Sequence, residues 1–257
     1  EGTILNAPHP CAVAARHITG QMLPDVVMGC LHQAVADKAP AEGTSCLWNP
    51  ALMGGHGLVP DEDFGDATPF AVGLFHTGGA GARPHKDGLS ATAFPSGVRN
   101  TPVEINESIA PIVVWKKEYR TDSGGAGEFR GGTGQVMEIA SSENAPFAIA
   151  ATFDRVHHAP RGREGGLDGF TGKVELTSGA VLNNKGTQSI PRGDRLHLEM
   201  PGGGGYGDPF QRDPGQVAID VRDGMVSAQA ALDLYGVVLD DSGAVDVGAT
   251  ESLRTGK

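Results

Sequence analysis

An α+β fold, mainly β in the form of a sandwich or barrel-like sheet, is predicted by three features of the 257-residue sequence. A helical apolar period runs through residues 10–36, a series of short apolar runs separated by turn residues fills 135–200, and two short helical patterns follow near the end. Glycine is the compositional anomaly. At 39 residues it reaches about twice ordinary usage while aromatics stay at 5%, which predicts many tight turns and left-handed backbone positions and a loop-rich chain. The glycines have no G-X-Y period and alternate with Val, Ile, Leu and Phe runs, which excludes collagen-like and disordered chains and leaves turn-rich β structure.

Ile18, Met22, Val26, Val27, Leu31 and Val35 recur at spacings near 3.6, predicting one N-terminal helix with Gly20 as a potential break and Pro24 near a helix start. Residues 40–66 mix Pro, Gly, Asn and acidic residues around apolar islands at 46–48 and 51–53, the pattern of connecting loops with one strand. Residues 70–75 (FAVGLF) predict a buried strand that runs directly into the glycine string 77–87. Further strands are expected at 109–119, 135–140, 147–153, 172–176, 180–183 and 194–200, with a second glycine-dense string at 124–134 and a third, PGGGGYGD, at 201–208. Short helices follow at 214–222 and 227–234, with Gly224 as a stop and Ser227 as an N-cap, and the last dozen residues are expected to fray. These elements divide the chain into a helical and loop segment continuing from an upstream region (1–68), a glycine-rich β domain (69–210) and C-terminal short helices with a tail (211–257). No repeat of fixed period is present, which argues against solenoids and propellers.

A net charge of −11 argues against nonspecific nucleic-acid binding, which needs a basic face to displace counterions. Cys11, Cys30 and Cys46 are odd in number, widely spaced and without a CxxC pair, so neither a disulfide framework nor a cysteine zinc site is suggested, and a reducing cytoplasm fits. No apolar run reaches the length of a membrane-spanning helix, which predicts a soluble chain.

Glycine strings after strands invite a phosphate-binding reading, because bare backbone N–H groups can converge on an anion. Residues 77–87 lack the GxxxxGK[ST] order, and residues 202–207 run into Asp208, whose carboxylate would repel an anion. Asp154, His157 and His158 could share a cation, but the spacing is not HExxH and adjacent histidines on a strand face opposite sides. His85 and Asp87, at i and i+2 just beyond a buried strand, can face the same side and bring an imidazole to a carboxylate. The stretch 87–107 places Arg99, Asn100 and Glu104 among small residues and prolines, too polar for a core strand and too short of charge for a simple solvated face. Turn formation by Pro95-Ser96-Gly97 and Asn100-Thr101-Pro102 is the alternative explanation of that polarity.

The strings GGAGARPHKDGLSATAFPSGVRNTPVEINE, GGAGEFRGGTGQ and MPGGGGYGDP resemble the C-terminal half of the hydantoinase B/oxoprolinase family, and the resemblance runs from EGTILN at the start to YGVVL at 235–239. It implies a division of labour. A hydantoinase A-type partner binds ATP and phosphorylates a lactam, imide or enolate oxygen, and the B-type subunit completes hydrolysis or carboxylation. Phosphorylation turns a poor electrophile into one that carries a leaving group. A divalent metal, suited to activating water or polarising the carbon centre, is expected in the complete subunit, with its His/Asp-rich motifs (NDPYxGGTHLPD, AHHADIGG) in the N-terminal half. Neither motif occurs in these residues, so no metal ligand is assigned to this chain. The resemblance therefore implies the C-terminal part of a B-type subunit of an ATP-dependent cyclic-amide hydrolase, needing the N-terminal half and the A-type subunit. A ketone carboxylase fragment and a non-catalytic assembly domain are the alternatives. The expected site residues are His85, Asp87, Asn100 and Glu104 as catalytic groups and Thr77 and Arg99 as substrate-binding groups.

Overall fold

Alternation of apolar and polar side chains decides where the strands go. The computed structural model describes residues 2–3, 5–11, 15–55, 67–92 and 94–256. Within them, β1 (Ala51–Gly54), β2 (Phe70–Gly73), β5 (Phe147–Thr152) and β7 (Lys185–Ile190) form one antiparallel sheet in the order β2-β1-β5-β7. A second antiparallel sheet follows the order β3-β4-β8-β6, built from β3 (Ile112–Tyr119), β4 (Gln135–Ser141), β6 (Lys173–Leu176) and β8 (Leu196–Glu199). Inward residues Met137, Ile139, Leu196, Leu198, Val174 and Leu176 of the second sheet share one core with Leu52, Val72, Phe147 and Ile149 of the first. The two sheets thus pack as a sandwich. Each keeps two edges, so the barrel-like alternative is not realised.

Helices α1 (Arg16–His32) and α2 (Val103–Ile109) precede β3, and α3 (Pro214–Arg222), α4 (Ala228–Tyr235) and α5 (Val247–Thr255) follow the sheets. Asp213, Ser227 and Asp246 cap α3, α4 and α5 through side-chain acceptors. Gly236 ends α4 in the left-handed region at φ 63°, where a side chain would also strike the Phe210 ring. Val217, Val226, Ala231, Tyr235 and Val237 of this C-terminal part bury a small core against Ala126.

The glycine strings do something the sequence reading missed. Gly79, Gly81, Gly88, Gly124, Gly125, Gly131, Gly132 and Gly202 to Gly205 are neither turns nor left-handed positions: their segments lie side by side, backbone against backbone. Gly202 N–H donates to Phe170 O at 3.2 Å, Gly203 to Gly132 O at 2.9 Å, Gly204 to Glu42 O at 2.8 Å and Gly205 to Leu167 O at 2.8 Å. Direction returns to the same neighbouring segment after three residues, the period of a polyproline II helix, which makes no internal hydrogen bonds and sends its N–H and C=O groups outward. Carbonyls of the same segment accept in turn from Gly79, Gly125, Ala82 and Arg163. The result is a bundle of extended segments whose buried backbone groups are satisfied by one another.

Three local expectations are corrected. Residues 180–183 are not a strand: Val181 only bridges Glu175 and is 76% exposed, while the strand lies at β7, whose KGTQSI sequence sends only Ile190 fully into the core and so lacks the apolar signal. Residues 247–255, within the last dozen expected to fray, do not do so. They form α5, held by a buried Thr250 and by Arg254, which donates to the carbonyls of Tyr235 and Arg212. Gly20 and Pro24 both lie within the unbroken α1.

A β-carbon on Gly203 would run into the Ala80 carbonyl and one on Gly132 into the Leu89 carbonyl, far inside the 3.0 Å that real Cβ atoms respect. Gly203→Ala is therefore expected to cost more than about 3 kcal/mol. Gly73→Ala meets nothing within 4 Å and should change stability by less than about 1 kcal/mol. Urea denaturation of the two variants checks the contrast.

Candidate functional site

A cavity of about 350 Å³ opens between α1, the bundle segments around Ala41–Gly43 and Ala80–Gly81, and the loop carrying Leu89, Thr92, Phe94 and Pro95. Its walls are mostly apolar, and α1 contributes one carboxylate, Asp25. Asp25 Oδ2 accepts from Ser45 Oγ at 2.5 Å and from Arg155 Nη2 at 3.0 Å. Burial pushes the Asp25 carboxyl above its ordinary range, and the Ser45 and Arg155 contacts only partly offset that. Glu42 shares Arg155, at 3.0 Å, yet moves the other way. Burial pushes it up too, but Arg161 adds both a guanidinium and a backbone N–H, and these hydrogen bonds hold it low. The arrangement can enclose a small, mostly apolar molecule and orient polar edges of it against the Asp25 carboxyl and the Arg83 guanidinium in the same wall.

Thr92 and Phe94 also line a closed seam, too tight to admit a water molecule, that includes Thr77. Thr77 is buried, its hydroxyl lies 3.5 Å from Asn100 Oδ1, and its carbonyl accepts from Gln135 Nε2 at 2.7 Å, an amide that also lies 3.4 Å from Asn100 Oδ1. Two of the expected site residues, Thr77 and Asn100, are thus brought together. Lys117 shares the inward face of its sheet with its register partner Met137 and donates to the Thr101 carbonyl at 3.0 Å. Burial lowers the Lys117 ammonium, which the Glu104 charge partly counters. His76 is 2% exposed and neither ring nitrogen meets a protein hydrogen-bond partner. Burial, with Lys117 adding to it, pushes this imidazole down to about 3.

The other expected residues are placed apart. Asp87 does not pair with His85: Arg212 grips its two carboxylate oxygens at 2.7 Å each and the Arg130 N–H donates to Oδ1 at 2.7 Å. Burial raises the Asp87 carboxyl, but Arg212 outweighs it and leaves the group below the usual range. Arg212 also holds Asp220, which in turn meets Arg130, so Asp87 ties its loop to α3. His85, Arg99 and Glu104 are exposed, the last in the first turn of α2.

Glu175, His197 and Glu199 each offer a ligand atom within 4.8 Å of the others on the outer face of the second sheet, a group the sequence reading did not single out. The H-L-E alternation in β8 places His197 and Glu199 on that face, and Glu175 pairs with His197 in register. The donors are already engaged. Arg120 binds Glu199 at 2.7 Å, Lys173 binds Glu175 at 2.8 Å, and the His197 nitrogens face Glu138 and Glu199 at 3.3 Å. Two cations sit where a metal would bring its own charge, so these residues do not fit a divalent ion and no chemistry is routed through one; they form a cross-strand charge ladder. His157 and His158 are exposed, and Asp154 pairs with Lys185.

Asp87→Ala leaves the buried Arg212 with one carboxylate fewer and is expected to cost about 3 kcal/mol, the low end for a broken buried pair because Asp87 keeps some solvent contact. His85→Ala should stay within about 0.5 kcal/mol, and chemical denaturation separates the two. His76 gives a second expectation. Its folded value of about 3 lies below the ordinary 6.5, so the unfolded chain binds the proton more readily and stability falls as pH drops from 6.5 towards 3. The slope is up to about 1.4 kcal/mol per pH unit from this group, and His76→Leu should flatten it in unfolding titrations across that range.

The chain has relatives along almost its whole length. It is 31% identical over 264 residues to a protein of Pseudomonas sp. (strain NS671) provisionally named as the B component of a D-/L-hydantoinase, covering 99% of this chain and 42% of that one. It is 30% identical over 273 residues to the beta chain of the caprolactamase of Pseudomonas jessenii, covering 98% and 45%. The crystal structure of the ATP-dependent caprolactamase from that organism superposes with a TM-score of 0.76 at 26% identity, covering 97% of this chain and 44% of that one. A nucleotide-free acetone carboxylase structure shares the fold, with a TM-score of 0.66 at 23% identity over 88% of this chain and 34% of that one. The chain thus spans less than half the length of these relatives. A model of the hydantoinase B/oxoprolinase family matches residues 1–209, and the chain belongs to that family.

Proposed function

We propose that this chain forms the C-terminal part of a B-type subunit of an ATP-dependent cyclic-amide hydrolase, acting with the N-terminal portion of such a subunit and with an A-type partner that binds ATP. The likeness to caprolactamase carries this reading: both sequence and fold agree over at least 97% of this chain, and that enzyme's name specifies ATP and a lactam. Because the chain spans under half of that relative, the reading assigns a divalent metal and the phosphorylating site to the rest of the assembly. The proposed assembly is cytoplasmic. No helix among the described residues is long and apolar enough to cross a membrane.

Within that reading, Thr77 and Asn100 face the bound substrate. Thr77 lies on a closed seam that shares Thr92 and Phe94 with the wall of the Asp25 cavity, and Gln135 fixes the geometry of the pair. Exposed His85, Arg99 and Glu104 lie where an added subunit can reach them, and Asp87 acts as a positioning residue by holding the loop of His85 against Arg212.

The test is reconstitution with an A-type subunit and the remaining B-type portion, followed by ATP turnover against hydantoin, 5-oxoproline and caprolactam. Turnover stimulated by a cyclic amide without bicarbonate is expected, and Asn100→Ala should lower coupled hydrolysis at least about tenfold, or about 1.4 kcal/mol, with folding unchanged. Dependence on bicarbonate would instead mark a ketone carboxylase. Stable assembly in which Thr77→Ala and Asn100→Ala keep full turnover would mark a purely structural domain.

A further inference from the structure

Helix α1 is amphipathic in reverse. Its buried positions are Ile18, Gln21 and Asp25, and the polar ones among them are committed inward: Gln21 Nε2 donates to Ser96 Oγ at 2.6 Å and Asp25 takes Ser45 and Arg155. Further along the helix, His32 Nε2 lies 3.2 Å from a Glu164 carboxylate oxygen. The opposite face carries Leu23, Val26, Val27 and Leu31, continued past the helix end by Val35, and these are 37–60% exposed. Cys30 and Ala34 are exposed between them. Positions 23, 26, 27, 30, 31, 34 and 35 follow the i, i+3, i+4 spacing of one helical stripe, and none of them is charged. An apolar stripe of this length, on a helix whose Gln21 and Asp25 point into the fold, marks a surface that is covered in the working protein.

We propose that this stripe seats the part of a B-type subunit that this chain lacks, packing an apolar face of that portion along α1. The inference rests on the proposed function for the identity of the occupant. The relatives that match here carry more than half of their length outside the matched region. In the solved caprolactamase the shared fold takes 44% of the chain, so the larger part of it has to pack against surfaces the shared fold presents or build its own. The α1 stripe is the longest uncharged helical face in the described residues that the fold itself leaves open. It is also fixed before anything docks on it, because Arg155 clamps Asp25 from behind.

Coexpression of this chain with the non-matching portion of the beta chain of the Pseudomonas jessenii caprolactamase tests the proposal, read by co-purification and by site-resolved alkylation of Cys30, which is exposed on the stripe. The expected result is a 1:1 complex in which Cys30 alkylates at least about tenfold more slowly than in the chain alone, and which Val27→Asp abolishes. Val27 is 54% exposed, so this variant should keep the circular dichroism and melting temperature of the parent, and Val26→Ser serves as a milder second variant. No complex, a complex in which Cys30 stays reactive and Val27→Asp is silent, or a dimer of the chain alone that Val27→Asp dissolves would each overturn it. The readout needs neither ATP nor substrate. A complex in which Cys30 stays reactive and Val27→Asp is silent therefore removes the surface assignment and leaves the enzymatic reading standing. Absence of any complex counts against both, and an intact complex without ATP-coupled turnover once the A-type subunit is added would remove the enzymatic reading alone.

Discussion

Direct contact between backbones in the glycine bundle is the constraint on which the rest of the structure depends. Segments that touch through N–H···O=C bonds on several sides have no room for side chains, so glycine is required wherever a carbonyl of the next segment faces a Cα. That geometry explains why the three glycine strings, far apart in sequence, are one object in space. Residues 201–206 lie among the segments around 42, 79–82, 125, 132, 163 and 167–170. The cavity floor at Ala41–Gly43 and Ala80–Gly81 is part of this bundle. Its shape is therefore set by backbone packing that cannot adjust by rotamer changes, which favours a preformed site over one assembled on binding.

Side chains attach the outer layers to this rigid centre by one repeated device. An arginine reaches across from one segment and clamps carboxylates from two others: Arg155 joins Asp25 of α1 to Glu42 of the bundle, and Arg212 joins Asp87 of the glycine string to Asp220 of α3. Burying such charges is costly, and apolar packing could supply as much stability. The guanidinium fork, however, fixes direction as well as distance. In both places it sets the angle at which a helix meets the bundle, something a smooth apolar contact against bare glycine backbone cannot do.

The sequence made the sheets legible because alternation survives wherever one face of a strand is buried, as in QVMEIAS and LHLE. It concealed β7, which sits at a sheet edge and has little apolar content to show. The glycine strings were conspicuous but ambiguous. A glycine needed for φ freedom and a glycine needed for close approach look alike in one dimension, and only the absence of Asn, Asp and Ser partners at most of these positions hints at the second. Asp25 was invisible for a related reason: a lone acid between Pro24 and Val26 reads as the wet side of a helix. Had the apolar residues of α1 been asked which face they leave behind, the polar set Gln21, Asp25 and His32 would have emerged as the inner one. Asp87 stood out in the sequence, but its partners, Arg130 and Arg212, lie 43 and 125 residues away, and no local pattern announces them.

That inversion gives α1 a role beyond packing. A helix with an apolar inner face can slide or rotate slightly on its neighbours, because apolar contacts are non-directional. One held by Gln21, Asp25 and His32 cannot, since each of its bonds has a preferred line. Whatever covers the outer stripe therefore meets a helix whose register is already fixed, and the same Asp25 that fixes it forms the polar wall of the cavity. The outer stripe and that carboxyl are thus opposite faces of one helix, a single helix diameter apart, and the bonds from Ser45 and Arg155 that shape the cavity wall are the same ones that orient the stripe.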